Sequence, residues 1–245
     1  MSNNLIISLY TDLANNPDKE FGWDKGVQNA LNHGYKEEWI KQIPEKIWKY
    51  CAAVGNPFSV ANMKQGDSVL DIGCGAGVDL CVASLLVGEN GKVFGIDITP
   101  AMVETARSNA ALAEMSNISV SKGSLDTLPF DDECFNIVIS NGAINLSSSK
   151  QTVFSEVLRV LKHGGGFYFS DMIRDDNNME PVSCDTESWA DCVAGTLKSD
   201  ELIQLMEEAG FVNVQLSSTN HYKTSASTVG ATFIAMKVSK KEVEQ

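Results

Sequence analysis

The run Val69-Leu70-Asp71-Ile72-Gly73-Cys74-Gly75-Ala76-Gly77 limits most sharply what this chain can fold into. An apolar stretch enters three alternate glycines, and an apolar segment from Asp79 to Val87 leaves them. That order reads as a buried strand, a sharp turn and a buried helix. Glycine tolerates positive φ and lets a ligand approach the backbone closely. A dinucleotide fingerprint needs a further glycine at 78, where Val78 stands. The loop therefore suits a nucleoside without pyrophosphate better than a nicotinamide dinucleotide. A glycine triplet alone would also fit a tight structural turn.

Asp97 adds the second constraint. It ends the apolar strand Val93–Asp97, and a carboxylate there can accept both hydroxyl protons of a ribose. An ordinary helix-capping role for Asp97 is the weaker reading, because Thr99, followed by Pro100, is better placed to cap the next helix. Met102, Val103, Ala106, Ala110 and Ala113 give that helix one face. Further strands are expected at Ile118–Val120, Ile137–Ile139 and from Phe167. A helix carries Val153, Phe154, Val157, Leu158 and Leu161, and His163-Gly164-Gly165-Gly166 reads as its C-cap and turn. Ser199 is expected to cap a last helix that Gly210 stops. Val212–Ser217 and Thr232–Val238 then follow as two strands with no helix between them. Strands alternating with helices imply a doubly wound, mostly parallel sheet, and the final pair implies an antiparallel hairpin.

The first 58 of the 245 residues read differently, rich in Asn, Asp, Lys and aromatics. Ile40, Ile43 and Ile47 suggest a helix within Glu37–Tyr50. We expect a helical extension over 1–58, able to serve as a lid, and an α/β domain over 59–245. A hydrophobic fraction of 43% supports a sizeable core. A formal net charge of −13 disfavours nucleic acid and anionic membranes as partners, and reads mainly as solubility. The six cysteines, at 51, 74, 81, 134, 184 and 192, form no CxxC pair. They read as reduced thiols in a cytoplasmic protein, and no metal site is expected. No signal peptide or spanning segment is apparent.

These motifs resemble class I S-adenosylmethionine-dependent methyltransferases from about Asn56 onward. The glycine loop, Gly95-Ile96-Asp97, Gly123–Phe130 and Val157–Gly165 carry the likeness. Within that superfamily the chain is most similar to arsenite methyltransferases, through Gly55-Asn56-Pro57, Gly88–Gly91, Ile98–Met102, Ser140–Leu146 and Cys192–Gly195. The resemblance implies a seven-stranded Rossmann-like sheet and S-adenosylmethionine as cofactor. Gly73, Gly75 and Gly77 would line its methionine and ribose portion, Asp71 is counted among the cofactor-binding residues, and Asp97 would hold the ribose hydroxyls. Ile98 and Met102 would flank the adenine. Leu125 would offer it a backbone N–H, and Ser124 stands where an acidic residue is frequent, with Asp126 as a replacement. Asn141 would face the methionine end.

The departures concern the acceptor. Arsenic(III) prefers sulfur ligands. Three places where the arsenite enzymes commonly have cysteine hold Val54, Leu80 and Gly142, and only Cys192 matches. A methyltransferase acting on a different small molecule is therefore expected, with an arsenite enzyme using other thiols, or a cofactor-binding module without catalysis, as the alternatives. Tyr10, Trp23, Tyr35 and Cys192 are acceptor-side candidates, with Phe21 alongside. The aromatic residues could equally pack the extension against the core. His33, Tyr35 and His221 are the titratable groups available if a base is needed, and none is singled out as catalytic.

Overall fold

A computed structural model of the chain describes residues 4–175 and 195–240. Four helices come first: α1 (Asn4–Asn15), α2 (Val27–Asn32), α3 (Glu37–Gln42) and α4 (Glu45–Trp48). The domain then runs β1 (Ser68–Ile72), α5 (Val78–Val87), β2 (Lys92–Asp97), α6 (Pro100–Leu112), β3 (Ile118–Lys122), β4 (Phe135–Asn141), α7 (Lys150–Val160) and β5 (Leu161–Arg174). It ends with α8 (Ser199–Ala209), β6 (Val212–Thr219) and β7 (Thr228–Met236).

The seven strands lie in the order β3-β2-β1-β4-β5-β7-β6. β1 to β5 are parallel, and β7 runs antiparallel between β5 and β6. The expected doubly wound sheet with a terminal hairpin is present. The chain winds outward from β1 through β2 to β3, then returns to place β4 on the other side of β1. That reversal opens a crevice at the carboxyl ends of β1 and β4, where open α/β sheets bind ligands.

Side chains alternate across the sheet, as strand geometry requires. Val69, Ile137, Ile139 and Tyr168 face a cluster containing α5 and the N-terminal helices. Leu70, Val138, Phe167 and Phe169 face a second cluster with Phe154, Val157, Leu202 and Met206. Phe167 stacks on Phe169 at 4.7 Å, and Phe169 on Phe233 at 5.0 Å. Helix α5 is buried almost all round, because the sheet covers one side and residues 35–58 the other. The extension thus shares one core with the sheet.

Several boundaries differ from the sequence reading. The helix expected within Glu37–Tyr50 is two short helices. Pro44 disfavours helical geometry at Ile43, which is extended at φ −94°, ψ 133°. Helix α7 ends at Val160, and β5 begins at Leu161, which pairs with Phe135 before the register shifts to Ile137–Gly166. His163 and its glycines therefore lie within the strand, not in a helix cap. Thr99 takes the N-cap position but makes no side-chain capping bond. Ser199 is the first helical residue of α8, after Lys198 at the N-cap.

Phe154 is fully buried between α7 and the stacked rings of β5. Phe154→Ala is expected to cost about 3–5 kcal/mol in urea unfolding, through lost transfer energy and the cavity left behind. A loss under about 1 kcal/mol would contradict this packing.

Candidate functional site

A cavity of about 820 Å³ opens over the carboxyl ends of β1, β2 and β4. Its floor is the loop after β1. The Gly73 and Cys74 N–H groups both donate to Ile96 O at 2.9 Å, which anchors the loop to β2. Gly75 has φ +51°, and a Cβ there would meet nothing within 4 Å. Its bare backbone therefore borders open cavity. Gly77 is the exception among the loop glycines. It does not line the cavity, and a Cβ on it would press on Ala106 at 3.1 Å.

Asp97 is tied to the floor. Its Oδ2 accepts the Gly75 N–H at 2.9 Å, and its Oδ1 accepts the Thr99 N–H at 2.8 Å. Burial raises its pKa, while these two N–H groups act in the opposite sense. Each oxygen keeps a lone pair, and Asp97 lines the cavity beside Ile98, Met102, Ser124, Leu125 and Asp126. Among the described residues the Leu125 N–H has no hydrogen-bond partner. Asp126 is drawn away, accepting the Ser147 hydroxyl at 2.7 Å.

Asp71 and Asp79 occupy the other end. Asp71 is 2% exposed, lines the cavity, and accepts no hydrogen bond among the described residues. Burial, with Asp79 and Asp97 nearby, holds its pKa well above the usual carboxylate value. Asp79, in the first turn of α5, accepts the Tyr35 hydroxyl at 2.7 Å and the Asn141 amide at 3.2 Å. Burial lifts its pKa to about 6 against those two donors. Asp79 was not singled out from the sequence, although an acid two residues past a glycine loop was the available signal.

Asn141, at the end of β4, also binds the segment entering the domain. Its Oδ1 accepts the Val54 N–H at 3.1 Å, and its Nδ2 lies 3.1 Å from Gly55 O. Val54 O in turn accepts the Asn220 amide at 2.9 Å. These bonds fix Val54 beside Gly142, where a Cβ would sit 3.6 Å from Val54 Cγ1. Both line the cavity, with Leu146 and Tyr222 next to them. Leu80 is buried away from it.

The aromatic candidates separate. Tyr35 is 3% exposed, its ring enclosed edge-on by Trp39, Trp48 and Phe58, so that its hydroxyl is the useful group. Tyr10 packs with Leu13, Phe21, Ala76 and Met102, on the side of Asp97. Trp23 lines the cavity with its ring 5.5 Å from Phe21. Residues 221–224, in the β6–β7 loop, contribute a wall, of which the sequence draws attention to His221 alone, as a titratable group. Cys192 lies outside the described residues. Cys51 and Cys74 line the cavity, and burial pushes both thiols up. Cys81 does not line it, and burial raises its pKa to about 12.

The model of a methyltransferase domain family matches residues 63–210. The arsenite methyltransferase of Halobacterium salinarum is 40% identical over 163 residues, covering 66% of this chain and 42% of that protein. The human arsenite methyltransferase is 37% identical over 161 residues, covering 62% of this chain and 43% of that one. A demethylmenaquinone methyltransferase of Geobacillus is 24% identical over 216 residues, covering 75% and 92%. In structure, the arsenic(III) S-adenosylmethionine methyltransferase of Chlamydomonas reinhardtii matches with a TM-score of 0.69 at 29% identity, covering 82% of this chain and 72% of that one. The chain spans less than half the length of the two arsenite methyltransferases. The glycine loop, the acid closing β2, the antiparallel β7 and these matches agree: the chain belongs to the class I family of S-adenosylmethionine-dependent methyltransferases.

Proposed function

We propose that this chain transfers the methyl group of S-adenosylmethionine to a small-molecule acceptor other than arsenite. One observation carries the acceptor part: Val54 and Gly142 stand side by side on the cavity wall, where the family resemblance places two of the arsenic-binding cysteines.

The cavity fits the cofactor on several counts. Gly75 leaves backbone bare along its floor, and Gly73, which also lines it, packs where a side chain would meet Ala143. Asp97 would take the ribose hydroxyls on its free lone pairs. Ile98 and Met102 would flank the adenine, with Ser124 beside them and the unpaired Leu125 N–H at its edge. Asp71 and Asn141 would face the methionine end. Gly77 would act through the packing of α5 against α6. Tyr10, on the Asp97 side, would cover the adenosine, and residues 1–58 would form the wall that closes the site, joined to the methyltransferase domain over 59–245.

The bound cofactor supplies an already activated sulfonium methyl. The chain's task is then to exclude water and hold an acceptor in line with that methyl. Val54, Gly142, Leu146 and Tyr222 would make the acceptor's wall, with Trp23 nearby. Arsenite instead needs several thiolates. Cys51 and Cys74 are held as thiols by burial, and a retained Cys192 alone would not make such a set.

Reduced protein given labelled S-adenosylmethionine and arsenite is expected to bind the cofactor, bind no arsenite and form no methylated arsenic. Tight arsenite binding with turnover would overturn the acceptor assignment. Asp97→Asn should weaken S-adenosylmethionine in calorimetry by about 10- to 100-fold, from the loss of charge-assisted bonds worth about 1.5–3 kcal/mol. Unchanged affinity would remove Asp97 from the cofactor site.

A further inference from the structure

The charges lining the cavity are unevenly matched. Five carboxylates, Asp24, Asp71, Asp79, Asp97 and Asp126, face it against a single ammonium, that of Lys223. Lys223 already has a counterion: its Nζ lies 2.8 Å from Asp175 Oδ2, on a residue that does not line the cavity. Four of the five carboxylates belong to the sheet, its loops and α5. Asp24 alone comes from the extension, in the stretch between α1 and α2.

Asp24 has no countercharge of its own. Among the described residues it makes no hydrogen bond or ion pair. The adjacent Lys25 donates to Pro17 O instead. His33, just past α2, holds its Nδ1 2.8 Å from Asn29 O, and burial lowers its pKa against that carbonyl and the charge of Asp24, so it stays neutral at neutral pH. The same imidazole meets the Tyr222 ring edge-on at 5.1 Å. Asp24 and Tyr222 therefore act on one residue from the cavity lining, beside the wall of Val54 and Leu146. Trp23, next to Asp24 in the chain, lines the cavity as well. Lys19 lies over the neighbouring Phe21 ring at 5.3 Å, and Trp23 has no such cation among the described residues. An aromatic face and a carboxylate together favour an ammonium over a neutral or anionic group of the same shape.

Resting on the cofactor reading above, we infer that the methyl acceptor is an organic amine with an apolar body, drawn in as its ammonium by Asp24 and Trp23, with that body against Val54, Leu146 and Tyr222. Asp24 is exposed, so the ammonium can lose one proton to water there. The freed nitrogen lone pair then forms the N–C bond to the methyl as the C–S bond breaks. The electrons of that bond return to sulfur, and S-adenosylhomocysteine leaves. The extension thus selects the acceptor by charge, and the apolar wall selects it by shape.

The test is calorimetric titration of the S-adenosylhomocysteine-loaded chain at about pH 8, above the ordinary histidine range, with three probes of one shape. Phenethylamine carries an ammonium, 2-phenylethanol is neutral and 3-phenylpropanoate is anionic. Phenethylamine should bind about fivefold or more tighter than the alcohol, and the carboxylate should bind weakest. Asp24→Asn should bring phenethylamine within about twofold of the alcohol and leave S-adenosylhomocysteine within about twofold of wild type. Trp23→Leu, which keeps apolar surface and loses the ring, should weaken phenethylamine more than the alcohol. It is an independent arm if Asp24→Asn does not fold. Tightest binding by 3-phenylpropanoate, lost in Lys223→Gln, would overturn the inference and make the acceptor an anion read by Lys223. Equal affinity for the three probes, binding of none of them, or an unchanged amine preference in Asp24→Asn would also overturn it. Failure of the wild-type chain to bind S-adenosylhomocysteine would overturn the cofactor reading instead.

Discussion

The side chain of Asn141 is the joint on which both halves of the cavity depend. Its two amide atoms reach the Val54 N–H, Gly55 O, the Tyr35 hydroxyl and Asp79. A strand end, a helix start and two stretches of the N-terminal extension therefore meet at one residue. In a low-dielectric setting such a network rigidifies strongly when every member is satisfied. Asn29 repeats the device behind it, holding Ala53 through both its N–H and its carbonyl. The peptide from Cys51 to Gly55 is consequently a fixed wall and not a loose linker, which is why the extension and the sheet share one core.

Much of the architecture was legible because the sheet is buried on both faces. Val69–Ile72, Val93–Asp97 and Ile137–Ile139 are continuous apolar runs, which is what central parallel strands need. The hairpin was legible from two strands with no helix between them. What escaped was local. Pro44 divides a segment whose isoleucines keep helical spacing, and spacing alone does not reveal the break. Gly164, at φ +77°, lies within a strand that bulges, and glycines that look like a helix stop also serve that purpose.

The site divides along similar lines. Asp71, Gly73, Gly75, Asp97, Ile98, Met102, Ser124, Leu125 and Asn141 all line one cavity, because each lies at or just beyond a strand end on the same edge of the sheet. Tyr10, Trp23 and Tyr35 also reach it, although no local pattern separates a ring that covers a ligand from one that packs a core. Tyr35 shows why: its ring sits in the core among Trp39, Trp48 and Phe58 while its hydroxyl alone reaches Asp79 at the cavity. His221 stands out in the sequence only as a titratable group, and the wall it forms with Tyr222, Lys223 and Thr224 was not legible, since a polar loop acquires its place only when β6 and β7 fold against β5.

On the proposed reading, this cavity holds S-adenosylmethionine with its adenosine toward Asp97 and its methyl toward Val54 and Gly142. A crystal structure of the complex tests it most directly. The ribose hydroxyls are expected within hydrogen-bonding distance of the Asp97 carboxylate, the adenine between Ile98 and Met102, and the sulfonium facing the Val54–Gly142 wall. A cofactor with its ribose away from Asp97, or its methyl pointing away from that wall, would contradict it.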